Sequence, residues 1–211
     1  MSTSAALVRL QMRRLAEQPA MRLARLYSFG ILLSFGLLAL LATDIESFTR
    51  LTITALKSAS LVVAGLSAWA SAGDLANQDK HNGLATLVGV HGVGAQHLEQ
   101  ARTFGAAFRT ITSIALPALG IIALGAIKLG SIAWAAALGV GALVYAAGLG
   151  SLLVLVARLC ALLARARGKL LLLLVLLLPE LGHALAPAAP SLSSVCSVAL
   201  TRLQHLGERF T

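Results

Sequence analysis

The chain has 211 residues, 58% of them hydrophobic and 12% charged, with a mean hydropathy of +0.86. Soluble domains carry about 25% charged residues, so a water-soluble globule of this size lacks its polar covering, and the high hydrophobicity excludes disorder. The 17 Lys and Arg against 8 Asp and Glu give a net charge of +9, but with 5% aromatic residues and no aromatic-basic stripe the pattern excludes a nucleic-acid footprint.

The composition points instead to an all-α, polytopic membrane helical bundle. Residues 1–25 read as a basic amphipathic helix on the membrane surface. Val8, Met12 and Leu15 recur at helical spacing, while Arg9, Arg13 and Arg14 lie toward the other side. Pro19 ends this helix, and Arg22 and Arg25 lead into the first span. So long a charged stretch does not suit a signal peptide. The transmembrane domain follows over residues 26–190, with spans at about Leu26–Thr43, Leu51–Gly73, Thr110–Ile127, Ser131–Ala157 and Leu170–Ala186. Pro117 and Pro179 interrupt the third and fifth. Between the second and third lies the extended polar stretch 74–103. The tail, residues 191–211, is only mildly apolar before Arg202 and Arg209, which suits an interfacial or re-entrant piece on the outer side.

Eleven basic residues fall in the N-terminal segment, the 74–103 stretch and the 158–169 loop, against four on the opposite side. The positive-inside rule puts the first three in the cytoplasm, with the protein integral to the cell membrane. Ala133, Ala137 and Gly141 form a ridge of small residues on span four that lets another helix approach closely, or that simply follows from an Ala-rich chain. Cys160 and Cys196 form no metal or redox motif and read as apolar packing residues.

Charged side chains inside lipid are functional suspects. Lys57 and Arg109 lie near span ends, where they can snorkel to water. Glu180 and His183, three residues apart on one helix face, suit a carboxylate–imidazole metal or proton site, or a polar helix break beside Pro179 and Gly182. No G-x-x-x-x-G-K-[ST] phosphate loop occurs, GVHGVG at 89–94 does not fit a dinucleotide fingerprint, and H-E-x-x-H and G-x-S-x-G are missing. The chain is therefore not expected to be an enzyme by itself.

The polar stretch carries Asp79-Lys80-His81-Asn82-Gly83-Leu84-Ala85-Thr86-Leu87, then Gly89-Val90-His91, then Leu98-Glu99-Gln100-Ala101-Arg102-Thr103. An acidic residue four before a glycine, a short helix, a Gly-Val turn and an Ala-Arg start to span three resemble the loop between the second and third spans of type-2 ABC-transporter permeases. The order around it is similar too: a basic amphipathic helix, two spans, the loop, then the remaining spans with a Pro-broken fifth. The family pattern has six spans, where five are read here. In size the chain is nearest to compact haem-exporter B-like members.

The resemblance implies a permease subunit of an ATP-driven exporter that moves a hydrophobic or amphipathic cargo. Residues 83–87 would be a coupling helix docked on a separate ATPase subunit, with Asp79, Gly83, Leu84, Leu87, Gly89 and Arg102 as the partner-binding residues. ATP and Mg would sit on that partner, with no cofactor bound by this chain directly. Homodimerisation, or a heterodimer with a related permease, would complete the path among membrane lipid. Two other readings remain: a membrane scaffold working through residues 74–103, and a metal or proton carrier using Glu180 and His183.

Overall fold

Pro19 lacks a backbone N–H and falls in the first turn of a helix, where no such donor is needed. In the computed structural model of the protein, α1 (Thr3–Glu17) ends just before it and α2 (Pro19–Leu41) begins at it. The structure describes residues 3–72, 83, 86, 89–90, 94–164, 167–185 and 191–210. After α2 come α3 (Ile45–Ser58), a π turn over Ala59–Val63, and α4 (Ala64–Ser71). The remaining helices are α5 (Ala95–Leu129), α6 (Ile132–Ala164), α7 (Gly168–Leu185) and α8 (Leu192–Glu208). Among the described residues all regular structure is helical. Four helical stretches are long and apolar enough to cross a membrane: Pro19–Leu41, Ile45–Ser71, Gln96–Leu129 and Ile132–Ala164. This is the build of an integral membrane protein.

Local chemistry sets the breaks. Asp44 is the N-cap of α3 and accepts hydrogen bonds from the Ser47 backbone N–H (2.9 Å) and hydroxyl (2.8 Å). Gly130, at φ 66°, closes α5 in a left-handed cap and starts the tight turn into α6. Gly168 lies so close to α6 that an added Cβ would sit 2.7 Å from Ala161 Cα, so the α6–α7 turn needs glycine.

One end of the bundle is organised by Trp134, which is fully buried. Its indole N–H donates to Thr49 Oγ1 at 3.0 Å, and its ring meets Phe48 edge-on with centroids 6.2 Å apart. Gly125 leaves the space that these rings occupy. At this Trp134 end, Lys128 Nζ donates to the carbonyls of Leu40 and Ala42, both at 2.7 Å, and so caps the C-terminus of α2. Farther along the same pair of helices, Ser28 Oγ donates to Ser113 O at 2.8 Å, so α2 and α5 run parallel. At the opposite, α1 end, Leu7 packs with Leu98 and Ala101, and Leu15 with Ala106 and Val154.

The third span was expected to start at Thr110, with residues up to 103 in a polar stretch. That span lies within a longer helix, which begins at Ala95. The extra turns are polar on one side, but Leu98, Ala101 and Gly105 give the other side a face that α1 covers. On α1 the covered face is Leu7, Gln11 and Leu15, while Arg9 and Arg13 stay exposed. The fifth predicted span is the 18-residue helix α7. Residues of the expected tail form α8, with Leu200, Leu203 and Gly207 buried in the bundle.

α7 and α8 are two parts of one path. α7 starts against Ala161 at the α1 end and climbs about 18 Å by Glu180 at ~1.5 Å per residue. Ser193, near the start of α8, is hydrogen-bonded to Glu180. From Ser193, α8 rises about another 21 Å to Gly207, which lies against Thr49 at the Trp134 end. On the way Leu203 packs on Gly141, the last member of the small-residue ridge. The Glu180–Ser193 contact therefore lies between the two ends of the bundle, with α7 running to it from the α1 end and α8 leading from it to the Trp134 end.

Candidate functional site

A helix that starts in the middle of a bundle exposes backbone N–H groups without helical partners, and these need satisfying where water is scarce. Two devices satisfy the first turn of α8. In a capping box, Ser194 N donates to Ser191 Oγ and Ser191 N to Ser194 Oγ, both at 3.1 Å. Glu180 then reaches across from α7: Ser193 N donates to Oε1 at 2.9 Å and Ser193 Oγ to Oε2 at 2.6 Å. The carboxylate thus sits at the positive end of the α8 dipole. His183, one turn farther on and half-buried, acts electrostatically on the same carboxylate. Among the described residues no three His, Cys, Asp or Glu side chains converge.

The break opens a cavity of about 340 Å³ between α3–α4, α6, α7 and α8. Most of its wall is apolar, including Leu61, Leu153, Leu176 and Leu200. The polar exceptions are Lys57, Ser60, Glu180, Ser193, Cys196 and Ser197. The facing wall carries the π turn, which interrupts the regular i→i−4 ladder and is frequent at functional sites. Within it, Ser60 Oγ donates to Leu56 O at 2.6 Å and lies 2.7 Å from the Tyr145 hydroxyl on α6. Lys57 stands at the rim with its side chain exposed and, among the described residues, forms no ion pair with Glu180. A cavity of this kind takes an apolar body and holds one polar end against Lys57 and the hydroxyls.

A second cluster ties α5 to α6 at the α1 end. Glu99 bridges Arg102 and Arg158, whose side chains are only 4% and 9% exposed. Arg102, expected to face a partner at the end of the polar stretch, is turned into the bundle. Arg158, expected in a basic loop, is likewise buried on α6. One carboxylate thus pairs with both buried guanidinium groups and ties the two helices together.

Of the other residues singled out in the sequence, Asp79, Leu84 and Leu87 lie outside the described residues. Gly83 is exposed and has φ 68°, a left-handed backbone conformation that favours glycine. Gly89 is exposed. Arg109 is half-buried on α5 and feels the charge of Arg25 on α2. Lys57 and Glu180, flagged separately as intramembrane charges, border one cavity. Sequence reasoning missed Ser60, Tyr145 and Ser193. For Ser193 a signal existed, because Ser191-Leu192-Ser193-Ser194 just after Pro190 is a helix-capping sequence. No family model, curated protein or solved structure matches this chain.

Proposed function

We propose that the chain is the membrane-embedded permease subunit of an ATP-driven exporter, and that the cavity at the α7–α8 break receives a hydrophobic or amphipathic cargo. The observation that carries this reading is the cavity itself, an apolar space of about 340 Å³ at middle depth with its polar groups gathered at a helix break. Broken helices at the midplane are how secondary transporters expose backbone dipoles to their substrates, and the same physics serves any carrier. Five crossings are proposed, the fifth shared by α7 and α8.

In this reading the α1 end is cytoplasmic, as the distribution of Lys and Arg favours. The coupling segment within the stretch 74–103 then docks on a separate ATPase subunit, which carries ATP and Mg. A second copy or a related permease closes the path, since association in pairs is the default for a half-sized unit. Gly83 is suited to the coupling segment by its exposure and its left-handed backbone conformation.

The test is purification of the tagged chain in mild detergent, with stoichiometric partners identified by mass spectrometry. The expected partner is a soluble protein with a phosphate loop, lost from the Gly83→Pro variant. In membranes containing both subunits, Leu153→Trp is expected to fill the cavity and abolish cargo-stimulated ATP hydrolysis while leaving the partner bound. Recovery of the chain with no ATPase overturns the permease reading and favours a scaffold.

A further inference from the structure

The Arg25 and Arg109 guanidinium groups are an unusual pair. Arg25 belongs to α2 and Arg109 to α5, one turn before the Ser28–Ser113 hydrogen bond that joins those helices. The two positive charges lie near enough to act on one another. Arg25 Nε and Nη2 and Arg109 Nε are buried and have no hydrogen-bond partner. One turn earlier on α5, Gly105 seats Gln11, which is 1% exposed and whose amide oxygen and nitrogen are also without a partner.

Three buried guanidinium nitrogens with no acceptor, on two like charges held together, are costly in a folded protein. Glu99 on the same helix is no remedy, because it lies ten residues earlier and is committed to Arg102 and Arg158. The arrangement becomes favourable when one anion with several oxygens sits between the guanidinium groups, since each planar fork matches phosphate geometry.

Depth in the bundle narrows the source. Lys128 marks the Trp134 end of both helices, where it caps α2 at Leu40 and Ala42. Counting back at ~1.5 Å per residue, Arg25 lies about 25 Å from Ala42 and Arg109 about 28 Å from Lys128. The hydrocarbon core of a bilayer is about 30 Å thick. With Lys128 at one face of the membrane, both arginines reach the headgroup level of the other face.

We infer that Arg25 and Arg109 form a binding site for a phosphate-bearing anion, supplied by the headgroup of an anionic phospholipid in the leaflet at the α1 end. The site is independent of the transporter reading and is a place where the bilayer completes the fold.

The experiment uses the full chain in mild detergent, with phosphatidylglycerol, phosphatidylcholine or inorganic phosphate added. Native mass spectrometry reads retained lipid, and thermal unfolding reads stability. The wild type is expected to retain phosphatidylglycerol over phosphatidylcholine and to be stabilised by it. Arg25→Gln/Arg109→Gln is expected to retain it at least about tenfold less, the loss of one charge-assisted hydrogen bond or more. Arg13→Gln, a change at an exposed arginine of α1, is expected to behave as the wild type. Equal stabilisation by inorganic phosphate at millimolar concentration upholds the anion site but assigns it to a soluble source. The sign without any added anion decides between a ligand site and a structural one. The double variant loses the like-charge repulsion and is expected to unfold at the same temperature as the wild type or higher. A double variant that folds but unfolds well below the wild type in anion-free detergent, or that retains phosphatidylglycerol as the wild type does, overturns the inference.

Discussion

Adding one methyl group at Gly125 tests how tightly the Trp134 end is built. A Cβ there lies 2.7 and 2.8 Å from two Trp134 ring carbons and 2.9 Å from Phe48 Cδ1. Carbon pairs prefer about 3.5–4.0 Å, so the rings must retreat by close to 1 Å. Both are fully buried, which leaves no solvent to retreat into. The indole also holds its 3.0 Å bond to Thr49 Oγ1, and a shift of that size lengthens it beyond hydrogen-bonding distance. Overpacking a core costs about 1–3 kcal/mol, and a lost hydrogen bond about 0.5–1.5 kcal/mol. Replacing a helical glycine with alanine returns about 0.8–1.0 kcal/mol. Gly125→Ala is therefore expected to lose roughly 1–3 kcal/mol overall. Gly139 and Gly148 on α6 provide the control, because an added Cβ at either meets nothing within 4 Å. Gly139→Ala and Gly148→Ala are expected to gain up to about 1 kcal/mol. Denaturant titration in detergent, followed by circular dichroism and by tryptophan fluorescence in a Trp69→Phe background, measures all three. A Gly125→Ala protein as stable as Gly139→Ala would refute the close packing on which this reasoning rests.

Three further outcomes are expected. Glu99→Gln leaves two buried guanidinium groups with a neutral partner; since Glu99 is itself 38% exposed, solvent screening reduces the usual cost of breaking a buried pair to roughly 1–3 kcal/mol, readable by the same titration, and a neutral effect would mean that the network contributes nothing. Hydrogen bonds from the Ser47 backbone and hydroxyl hold the Asp44 carboxyl below the ordinary carboxylate range. A depressed folded-state value means stability that is present above the ordinary carboxylate pKa and lost as pH falls through the depressed one, so amide exchange in the first turn of α3 should accelerate on acidification, and Asp44→Asn should abolish that acid dependence. Glu180→Ala should raise hydrogen exchange at Ser193, with Glu180→Gln intermediate, because the amide keeps one acceptor but not the charge; unchanged exchange in both would show that the capping box alone holds α8.

Much of the fold was written in apolar run length. Four long helices coincide with four of the runs, and the stripe of α1 was visible at Val8, Met12 and Leu15 with a register only slightly different from the buried one. The start of α5 was hidden because Gln96, His97, Glu99 and Gln100 have loop-like polarity. Their helix is set by the face Leu98–Ala101–Gly105, which makes sense only once α1 is known to cover it. α8 was hidden for a related reason. Hydropathy scales judge a segment against lipid, whereas this helix is held by one face, Leu200, Leu203 and Gly207, that packs into the bundle and needs few apolar residues to do so. Individual charges were easier to find than their partners. Lys57 and Glu180 stand out in any apolar run, but nothing local says that they border one cavity or that Glu99 reaches Arg158 on another helix.

The meeting of α7 and α8 inside the bundle has a consequence for how the protein is made. A hydrophobic run can leave the insertion machinery for lipid by itself, but α8 is too short and too polar to do so. Its neighbours are Thr49, Gly141, Tyr145 and Glu180, which all precede it in the chain. α8 therefore enters a groove that earlier helices have already assembled. A bundle misfolded at α3 or α6 has no place for it, and the Ser193 amide and the Glu180 carboxylate are then left without each other. Docking of α8 works as a check on assembly, and a chain that fails it presents an unpaired, partly polar helix, a feature by which membrane quality control can tell a finished molecule from a faulty one.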